Sequence, residues 1–256
     1  MNQTVYLLWT GGWDSTYRLV ELSRMDVTVR PLYCRDPERP STAIEEQAMT
    51  RILEALTARP ETRATLCPVR TLERADIPAD PEITAAYRRL AAVGTLGSQY
   101  DFLARLSRVY PGLELGIEKA NHEKSSGCRA TILKHGAFRE ENGCQVLDRE
   151  HSSPDCIAVM GNFRFPIIHI TENEMVENIR AWGYEDIMSM IWFCHTPIGG
   201  KPCGMCSPCR QKIESGMLFL LPPKALRRYG VQEKLRRSLG EFPARVLSKL
   251  VLRNFL

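Results

Sequence analysis

Four cysteines near the end of the chain have the spacing of a metal site. The run CHTPIGGKPCGMCSPC follows the pattern C-x8-C-x2-C-x2-C and supplies the thiols of Cys194, Cys203, Cys206 and Cys209. Thiolates are soft ligands, and the short C-x2-C loops let successive sulfurs converge on one ion. Four thiolates complete a tetrahedral zinc site and leave no open position for catalysis. The spacing therefore predicts a structural zinc site, with a disulfide pair or unconnected thiols as the alternatives.

A glycine-rich turn near the start of the chain has the composition of an anion site. The apolar run VYLLW predicts a buried strand, and residues 17–22 have helical periodicity. Such a turn exposes backbone N–H groups at a helix N-terminus, where the helix dipole favours negative charge. Its residues are Thr10, Gly11, Gly12, Trp13, Asp14, Ser15 and Thr16. The turn lacks the GK[ST] ending of a Walker A loop, and a plain strand-to-helix turn with Asp14 or Ser15 as N-cap is the alternative.

The two motifs together resemble those of a known enzyme family. TGGWDST is similar to the SGGxDS loop of the ATP pyrophosphatases that adenylate a substrate carbonyl. The run CHTPIGGKPCGMCSPCRQKIESGM resembles the zinc loop of 7-cyano-7-deazaguanine synthase. The resemblance extends from about Tyr6 to Met217. It implies an α/β fold of the adenine-nucleotide alpha-hydrolase-like (Rossmann-like) type, with a parallel sheet, helices on both faces and a homodimeric assembly.

The resemblance also implies that ATP binds at the turn as a co-substrate, together with Mg²⁺. The backbone of Gly11–Trp13 would hold the phosphates, and the hydroxyls of Ser15 and Thr16 would donate hydrogen bonds to them. Asp14 would orient the turn or help to hold Mg²⁺, with a structural N-cap role as the alternative.

A second loop, Gly116–Arg129, corresponds to the substrate loop of the family and departs from its pattern. It reads GIEKANHEKSSGCR, with Asn121 and Gly127 where the family has acidic residues. The family's Gly-Arg-Asn segment has its counterpart at Gly97-Ser98-Gln99, and a family lysine is absent near Thr171-Glu172.

The same loop supplies most of the residues expected to face the substrate acid, and the glycine turn and Gln99 supply the others. The predicted substrate-binding residues are Glu118, His122, Glu123, Cys128 and Gln99, and the predicted catalytic residues are Asp14, Ser15, Lys119 and Arg129. Glu118 and Glu123 are candidates to accept hydrogen bonds from a guanine-like edge, and solvated loop charges are the alternative. Cys128 is interpreted either as a packing residue or as a nucleophile.

Strand and helix signals alternate along the chain. Strands are predicted at 5–9, 27–34, 66–72, 113–117 and 157–160, and helices at 17–22, 43–56, 85–93, 100–109 and 171–182. Regular alternation is typical of a parallel sheet with helices on both faces, whose ligands bind beyond the carboxyl ends of the strands. Pro31 within the second strand suggests an edge position or a bulge.

Composition favours a cytoplasmic enzyme. Hydrophobic residues make up 44% of the 256 residues and charged residues 25%, as in globular proteins. The sequence contains no apolar run of eighteen residues, and the chain enters its first strand without a basic leader, so we expect neither a membrane span nor a signal peptide. The cysteines outside the predicted zinc site are expected to be reduced thiols.

We expect a pyrophosphate-loop domain over residues 1–216, including the zinc loop 194–209, and a basic helical extension over 217–256. The extension contains nine Lys and Arg residues against two Glu, a local charge of +7 within a chain of net charge +4. Its apolar stripe favours docking on the core or on a second subunit. An acidic protein partner, or contact with nucleic acid or an anionic membrane, is the alternative.

The resemblance implies a reaction in which 7-carboxy-7-deazaguanine attacks ATP to give an acyl-adenylate and pyrophosphate. The altered loops and the basic tail make the chain more similar to the synthase-like branch of antiphage defence loci. That branch implies conjugation of the deazaguanine to an acceptor protein. The alternatives are 7-cyano-7-deazaguanine (preQ0) synthesis from ammonia, as in queuosine biosynthesis, and a non-catalytic relative that binds nucleotides or tRNA.

Overall fold

The computed structural model describes residues 3–36, 38–119 and 127–239 of the chain. Over these residues the chain forms two compact units. The first, here the sheet unit, comprises Met1–Asp36 and Met49–Ile191, and the second, here the cysteine unit, comprises Pro37–Ala48 and Trp192–Leu256.

Strands and helices alternate over most of the chain, as the sequence predicts. The strands are β1 (Thr4–Leu8), β2 (Thr28–Arg35), β3 (Thr65–Leu66), β4 (Arg70–Glu73), β5 (Leu113–Glu114), β6 (Ala137–Glu141), β7 (Cys144–Asp148) and β8 (Phe163–Arg164). The helices are α1 (Trp13–Ser23), α2 (Thr42–Thr57), α3 (Pro81–Val93), α4 (Gln99–Val109), α5 (Cys128–His135), α6 (Pro154–Met160), α7 (Glu172–Trp182), α8 (Glu185–Ser189), α9 (Ser207–Glu214) and α10 (Pro223–Leu239). Short 3₁₀ turns lie at Arg74–Asp76 and Leu218–Leu220.

The main sheet has the strand order β3-β2-β1-β5-β8, with β4 also pairing to β2. Every pairing in this sheet is parallel, which confirms the predicted mixed α/β architecture with a largely parallel sheet flanked by helices. After β1 the chain adds β2 on one side, and it later adds β5 on the other. The strand order therefore reverses at β1, and open α/β sheets bind ligands beyond the carboxyl ends of the strands at such a point.

The second strand is interior, so the predicted edge position of Pro31 is wrong. β2 pairs with β1 along one side, where Pro31 lies opposite Leu7. On its other side β2 pairs with β3 up to Leu66 and with β4 from Arg70 onward. Pro31 falls between these two pairings. The neighbouring chain forms no strand there, between Leu66 and Arg70. The missing N–H of proline therefore costs no ladder hydrogen bond.

Most other predicted elements are confirmed, with two differences. The strand predicted at 66–72 is divided into the short strands β3 and β4. The strand predicted at 157–160 is wrong, because these residues belong to helix α6. Ser153 caps that helix by accepting a hydrogen bond from the N–H of Cys156, and Pro154 occupies its first turn, which are strong helix-start signals. A short apolar run fits a buried strand or a buried helix equally well.

A β-hairpin formed by β6 and β7 was not predicted. The two strands pair antiparallel from Ala137 opposite Asp148 to Glu141 opposite Cys144. Asn142 and Gly143 form its turn with φ values of 50° and 73°. Two successive residues with positive φ match the hairpin turns that Asn-Gly sequences favour.

The core of the sheet unit is built from apolar side chains of the parallel strands and of the helices that pack on them. Leu32, Leu113 and Phe163 are each no more than 1% exposed, and Leu103 of α4 is 4% exposed. No helix within residues 3–36, 38–119 and 127–239 is both long enough and apolar enough to cross a membrane.

Candidate functional site

The glycine turn leads directly from β1 into the N-terminus of α1. Gly12 is the N-cap residue of α1, and no side chain caps the helix through a hydrogen bond. Gly11 has a φ of 69°, a left-handed conformation that favours glycine. The first four N–H groups of a helix have no intrahelical acceptor. The first turn of α1 therefore presents hydrogen-bond donors and the positive end of a helix dipole.

The hydroxyls of Ser15 and Thr16 differ in the groups that they can contact. Thr16 is fully buried, and its Oγ1 accepts a hydrogen bond of 3.0 Å from Nε1 of Trp9. Ser15 lies at the first turn of α1 and retains 9% exposure. The Thr16 hydroxyl thus fixes α1 to the end of β1, whereas Ser15 remains the candidate donor to a bound phosphate.

The loop after β5 packs against this turn. Gly116 approaches it so closely that an added Cβ would lie 3.3 Å from the backbone nitrogen of Ser15 and 3.5 Å from Cβ of Asp14. A side chain at position 116 would therefore push the two loops apart. The close contact brings the carboxyl ends of β1 and β5 together, where the strand order predicts a ligand site.

Three carboxylates meet at this edge of the sheet. Oxygens of Asp14, Glu118 and Glu172 all lie within 4.8 Å of one another, and Glu172 is only 2% exposed. The Oδ1 atom of Asp14 is buried and has no hydrogen-bond partner among the described residues. Three carboxylates this close repel one another in a partly buried site, and a divalent cation offsets that repulsion. Carboxylate oxygens are the ligands that Mg²⁺ prefers, so this cluster could hold a metal ion.

Glu172 was not among the residues predicted for the site. It is the first residue of α7, and Thr171 caps that helix in a capping box with Glu174, as the sequence predicts. The N–H of Lys119 donates to the carbonyl of Ile170 at 2.9 Å, which holds the chain before α7 beside the loop after β5. The capping pattern locates the start of α7. This backbone contact between distant segments helps to place Glu172 beside Glu118.

The other predicted residues have different surroundings. Arg129 donates a hydrogen bond from Nε to the carbonyl of Ile168 at 3.1 Å, so this donor of its guanidinium is already used. Lys119 is half-buried, and Gln99 is exposed as the first residue of α4. His122 and Glu123 lie outside the described residues. The structure thus brings Asp14 and Glu118 together and adds Glu172 to them.

Cys128 begins α5 and lies beside the phenol of Tyr100. Burial raises the pKa of the Cys128 thiol to about 12. Because the thiolate is the nucleophilic form of cysteine, a thiol with this pKa is almost entirely protonated at neutral pH. The environment therefore favours the packing role over the nucleophilic one.

We expect Cys128 to resist alkylation at pH 8. With a pKa of about 12, its thiolate fraction is roughly three orders of magnitude below that of a free cysteine with a pKa of about 8.5. Labelling by iodoacetamide, followed by peptide mass spectrometry, should show Cys67 modified first. The Cys128 rate should rise about tenfold per pH unit as the pH approaches this pKa. Complete labelling of Cys128 within minutes at pH 8 would contradict the assignment.

The four cysteines of the predicted zinc loop converge in the cysteine unit. All four Sγ atoms lie within 4.8 Å of one another. The separations are 3.9 Å for Cys203–Cys209 and 3.9 Å for Cys206–Cys194. Sulfurs at the corners of a tetrahedron with Zn–S bonds of about 2.3 Å are separated by about 3.8 Å. The cluster therefore has the geometry to hold a metal ion such as zinc.

The backbone around the cluster favours thiolates. The N–H groups of Met205 and Cys206 donate to Sγ of Cys203 at 3.3 and 3.2 Å, and the N–H of Cys203 donates to Sγ of Cys194 at 3.2 Å. Donors aimed at sulfur are expected at a metal–thiolate site, where they orient and tune the ligands.

Helix α10 packs directly on this cysteine loop. Gly204 has a φ of 80°, and an added Cβ would lie 2.1 Å from the carbonyl oxygen of Ala225 in α10. Arg228 of the same helix is 3% exposed, and its Nε donates to the carbonyl of Cys203 at 2.8 Å. Its Nη2 donates to the carbonyl of Pro202 at 3.3 Å. The described part of the basic extension is thus a helix that contacts the cysteine loop through its backbone and one buried arginine.

No protein-family model matches the chain, and no curated protein matches it either.

Proposed function

We propose that the chain is an ATP-dependent ligase that adenylates 7-carboxy-7-deazaguanine, or a close deazapurine acid, and transfers the acyl group to an amine. The observation that carries this proposal is the cluster of Asp14, Glu118 and Glu172 beside the uncapped N-terminus of α1. Phosphate donors and a carboxylate cation site then lie side by side, which is the arrangement that a metal-bound nucleoside triphosphate requires.

The fold assigned in this proposal is the adenine-nucleotide alpha-hydrolase-like type. Its support is the parallel strand order with the reversal at β1, together with the resemblance of TGGWDST to a pyrophosphate loop. Both features support a triphosphate site at the carboxyl end of β1.

The first chemical step joins the acid to the nucleotide. The N–H groups of the α1 turn and the hydroxyl of Ser15 would bind the β- and γ-phosphates, and the carboxylates of Asp14, Glu118 and Glu172 would hold Mg²⁺. When bound, Mg²⁺ neutralises the charge that develops on the phosphate oxygens. A carboxylate oxygen of the substrate attacks the α-phosphorus, and the bond to the β-phosphate oxygen breaks. The products of this step are an acyl-adenylate and pyrophosphate.

The second step transfers the acyl group. The amine attacks the acyl carbon, loses a proton, and displaces AMP as the leaving group. Adenylation is required because a free carboxylate has no adequate leaving group. We assign Lys119 to a positioning role near the acid, because it follows Glu118 directly and its N–H donates to the carbonyl of Ile170. The high pKa of Cys128 argues against an intermediate on that thiol, so the amine attacks the adenylate itself.

In this proposal the cysteine loop holds a structural zinc ion. The sulfur separations of 3.9 Å fit tetrahedral Zn–S geometry. Four protein ligands leave no position for substrate, so zinc takes no part in either chemical step.

The experiment is pyrophosphate release combined with intact mass spectrometry. The protein is incubated with ATP, Mg²⁺ and 7-carboxy-7-deazaguanine, and then with ammonia or with proteins encoded beside it. We expect pyrophosphate release that depends on the acid, and a mass increase on an acceptor protein equal to the acid minus water. The deazaguanine without its carboxyl group serves as the control substrate and should release none.

Two results would contradict parts of this proposal. Release of pyrophosphate with accumulation of the nitrile alone, and no protein adduct, would favour 7-cyano-7-deazaguanine synthesis from ammonia. ATP binding without acid-dependent pyrophosphate release would exclude the ligase and favour a non-catalytic nucleotide-binding protein.

A further inference from the structure

A cavity of about 630 Å³ opens at the amino-terminal edge of the parallel sheet, the edge opposite the glycine turn. Its floor contains Thr4 and Val5 from the start of β1 and Gly112 and Glu114 around the start of β5, and the β6–β7 hairpin forms a wall. None of the three clustered carboxylates lines it. Its volume is typical of sites for small organic ligands.

The lining of the cavity carries a net positive charge. The charged residues among the described lining are Arg18, Arg139, Arg149, Arg164, Glu114 and Glu141. Four guanidinium groups and two carboxylates leave an excess charge of +2.

The deepest ionic cluster has no spare positive charge, because Arg18 pairs with two carboxylates, those of Glu114 and Glu21. Arg18 donates to both carboxylate oxygens of Glu114, from Nε at 2.8 Å and from Nη2 at 2.9 Å. The side chains of this pair are only 13% and 4% exposed. The pair therefore forms a structural floor, and the excess charge belongs to the arginines near the hairpin.

Those arginines have more donors than the cavity has acceptors. Arg139 and Arg164 share one carboxylate, that of Glu141, at 2.7 and 2.9 Å. Arg149 makes no ion pair within the described part of the chain. It donates to the Gly161 carbonyl and to the Asn162 side chain, each at 3.3 Å. Each guanidinium has five N–H donors, so several remain directed at the cavity or at solvent.

We propose that this cavity binds a small phosphate monoester. A phosphate monoester carries nearly two negative charges at neutral pH, which matches the excess of +2. Guanidinium forks pair with phosphate oxygens in bidentate geometry. Leu22, Met25 and Val27 line the same cavity and supply an apolar surface for the organic part of the ligand. This second site lies at the other edge of the sheet and does not depend on the proposed ligase activity.

The test is isothermal titration of the full-length protein with ribose 5-phosphate, using ribose as the uncharged probe. We expect saturable binding of ribose 5-phosphate only. Arg149→Gln should weaken that binding at least tenfold, because it removes a charge-assisted contact. Arg89→Gln is the matched control, since Arg89 is exposed, pairs with Asp155 and does not line the cavity. Its affinity should equal that of the unmodified chain.

A second variant is expected to change the affinity in the opposite direction. Glu141→Gln removes the carboxylate that competes for Arg139 and Arg164, so it should tighten binding severalfold. A variant that merely damages the fold would not bind more tightly. The proposal is overturned if ribose 5-phosphate does not bind saturably, if ribose binds equally well, or if Arg149→Gln leaves the affinity unchanged.

Discussion

Replacing Glu172 by glutamine is expected to lower the rate of pyrophosphate release about a thousandfold, since a bound metal ion contributes several kcal/mol to charge stabilisation in the transition state. Glu172 is 2% exposed and shares a site with Asp14 and Glu118. Glutamine keeps the shape of the side chain but removes one anionic ligand. The measurement is the rate of pyrophosphate release as a function of Mg²⁺ concentration, with ATP and the acid at saturation.

The matched control is Glu177→Gln, which changes an exposed glutamate of the same helix. It should retain the full rate. In EDTA, Glu172→Gln should melt no lower than the unmodified chain, because it relieves repulsion among three carboxylates when no cation is present. A rate within threefold of that of the unmodified chain would exclude Glu172 from the proposed metal site. A lower melting temperature in EDTA would mean that the substitution damages packing instead.

The second large effect is expected at the cysteine cluster. Replacing Cys203 by serine should remove one bound zinc ion per chain and unfold the cysteine unit. Structural zinc contributes about 10–16 kcal/mol in small zinc-binding folds, which is comparable to the whole stability of a typical domain. Cys203 is fully buried, and three backbone or side-chain groups donate to its sulfur.

Metal content by mass spectrometry and limited proteolysis of residues 192–239 together measure this effect. Cys67→Ser is the control, since Cys67 is a free, half-buried thiol outside the cluster. It should retain one zinc ion per chain and the original proteolytic pattern. If Cys203→Ser also retains stoichiometric zinc and resists protease, then the four thiols do not form the metal site.

Local sequence signals predict much of this fold because many elements begin and end with residues of clear preference. The Thr171–Glu174 capping box and the apolar run of β1 both specify their elements without help from distant residues. Asn142-Gly143 is also a strong local signal for the β6–β7 hairpin. A prediction based on alternating strands and helices does not include it, because a hairpin places two strands in succession.

Other features depend on contacts that no local pattern contains. Pro31 is tolerated in an interior strand only because the neighbouring chain leaves its strand geometry between Leu66 and Arg70. Glu172 joins the candidate site through contacts between distant segments, among them the hydrogen bond from the N–H of Lys119 to the carbonyl of Ile170. Both outcomes follow from the relative placement of segments far apart in sequence. A single sequence predicts the glycine turn and the cysteine spacing well, but not the third carboxylate.

Because α10 packs against Gly204, removing the basic extension would change the packing of the cysteine loop as well as the charge. The carbonyl of Ala225 occupies the space where a side chain at 204 would be, and Arg228 serves as a shared hydrogen-bond donor to two carbonyls of the cysteine loop. Truncation before Pro223 would therefore remove the helix that packs on the cysteine loop along with the positive charge. Exposed cations of the helix, such as Arg227 and Arg237, can instead be neutralised while the helix stays in place. Up to Leu239, the extension therefore supports the cysteine loop by packing, in addition to presenting exposed positive charge.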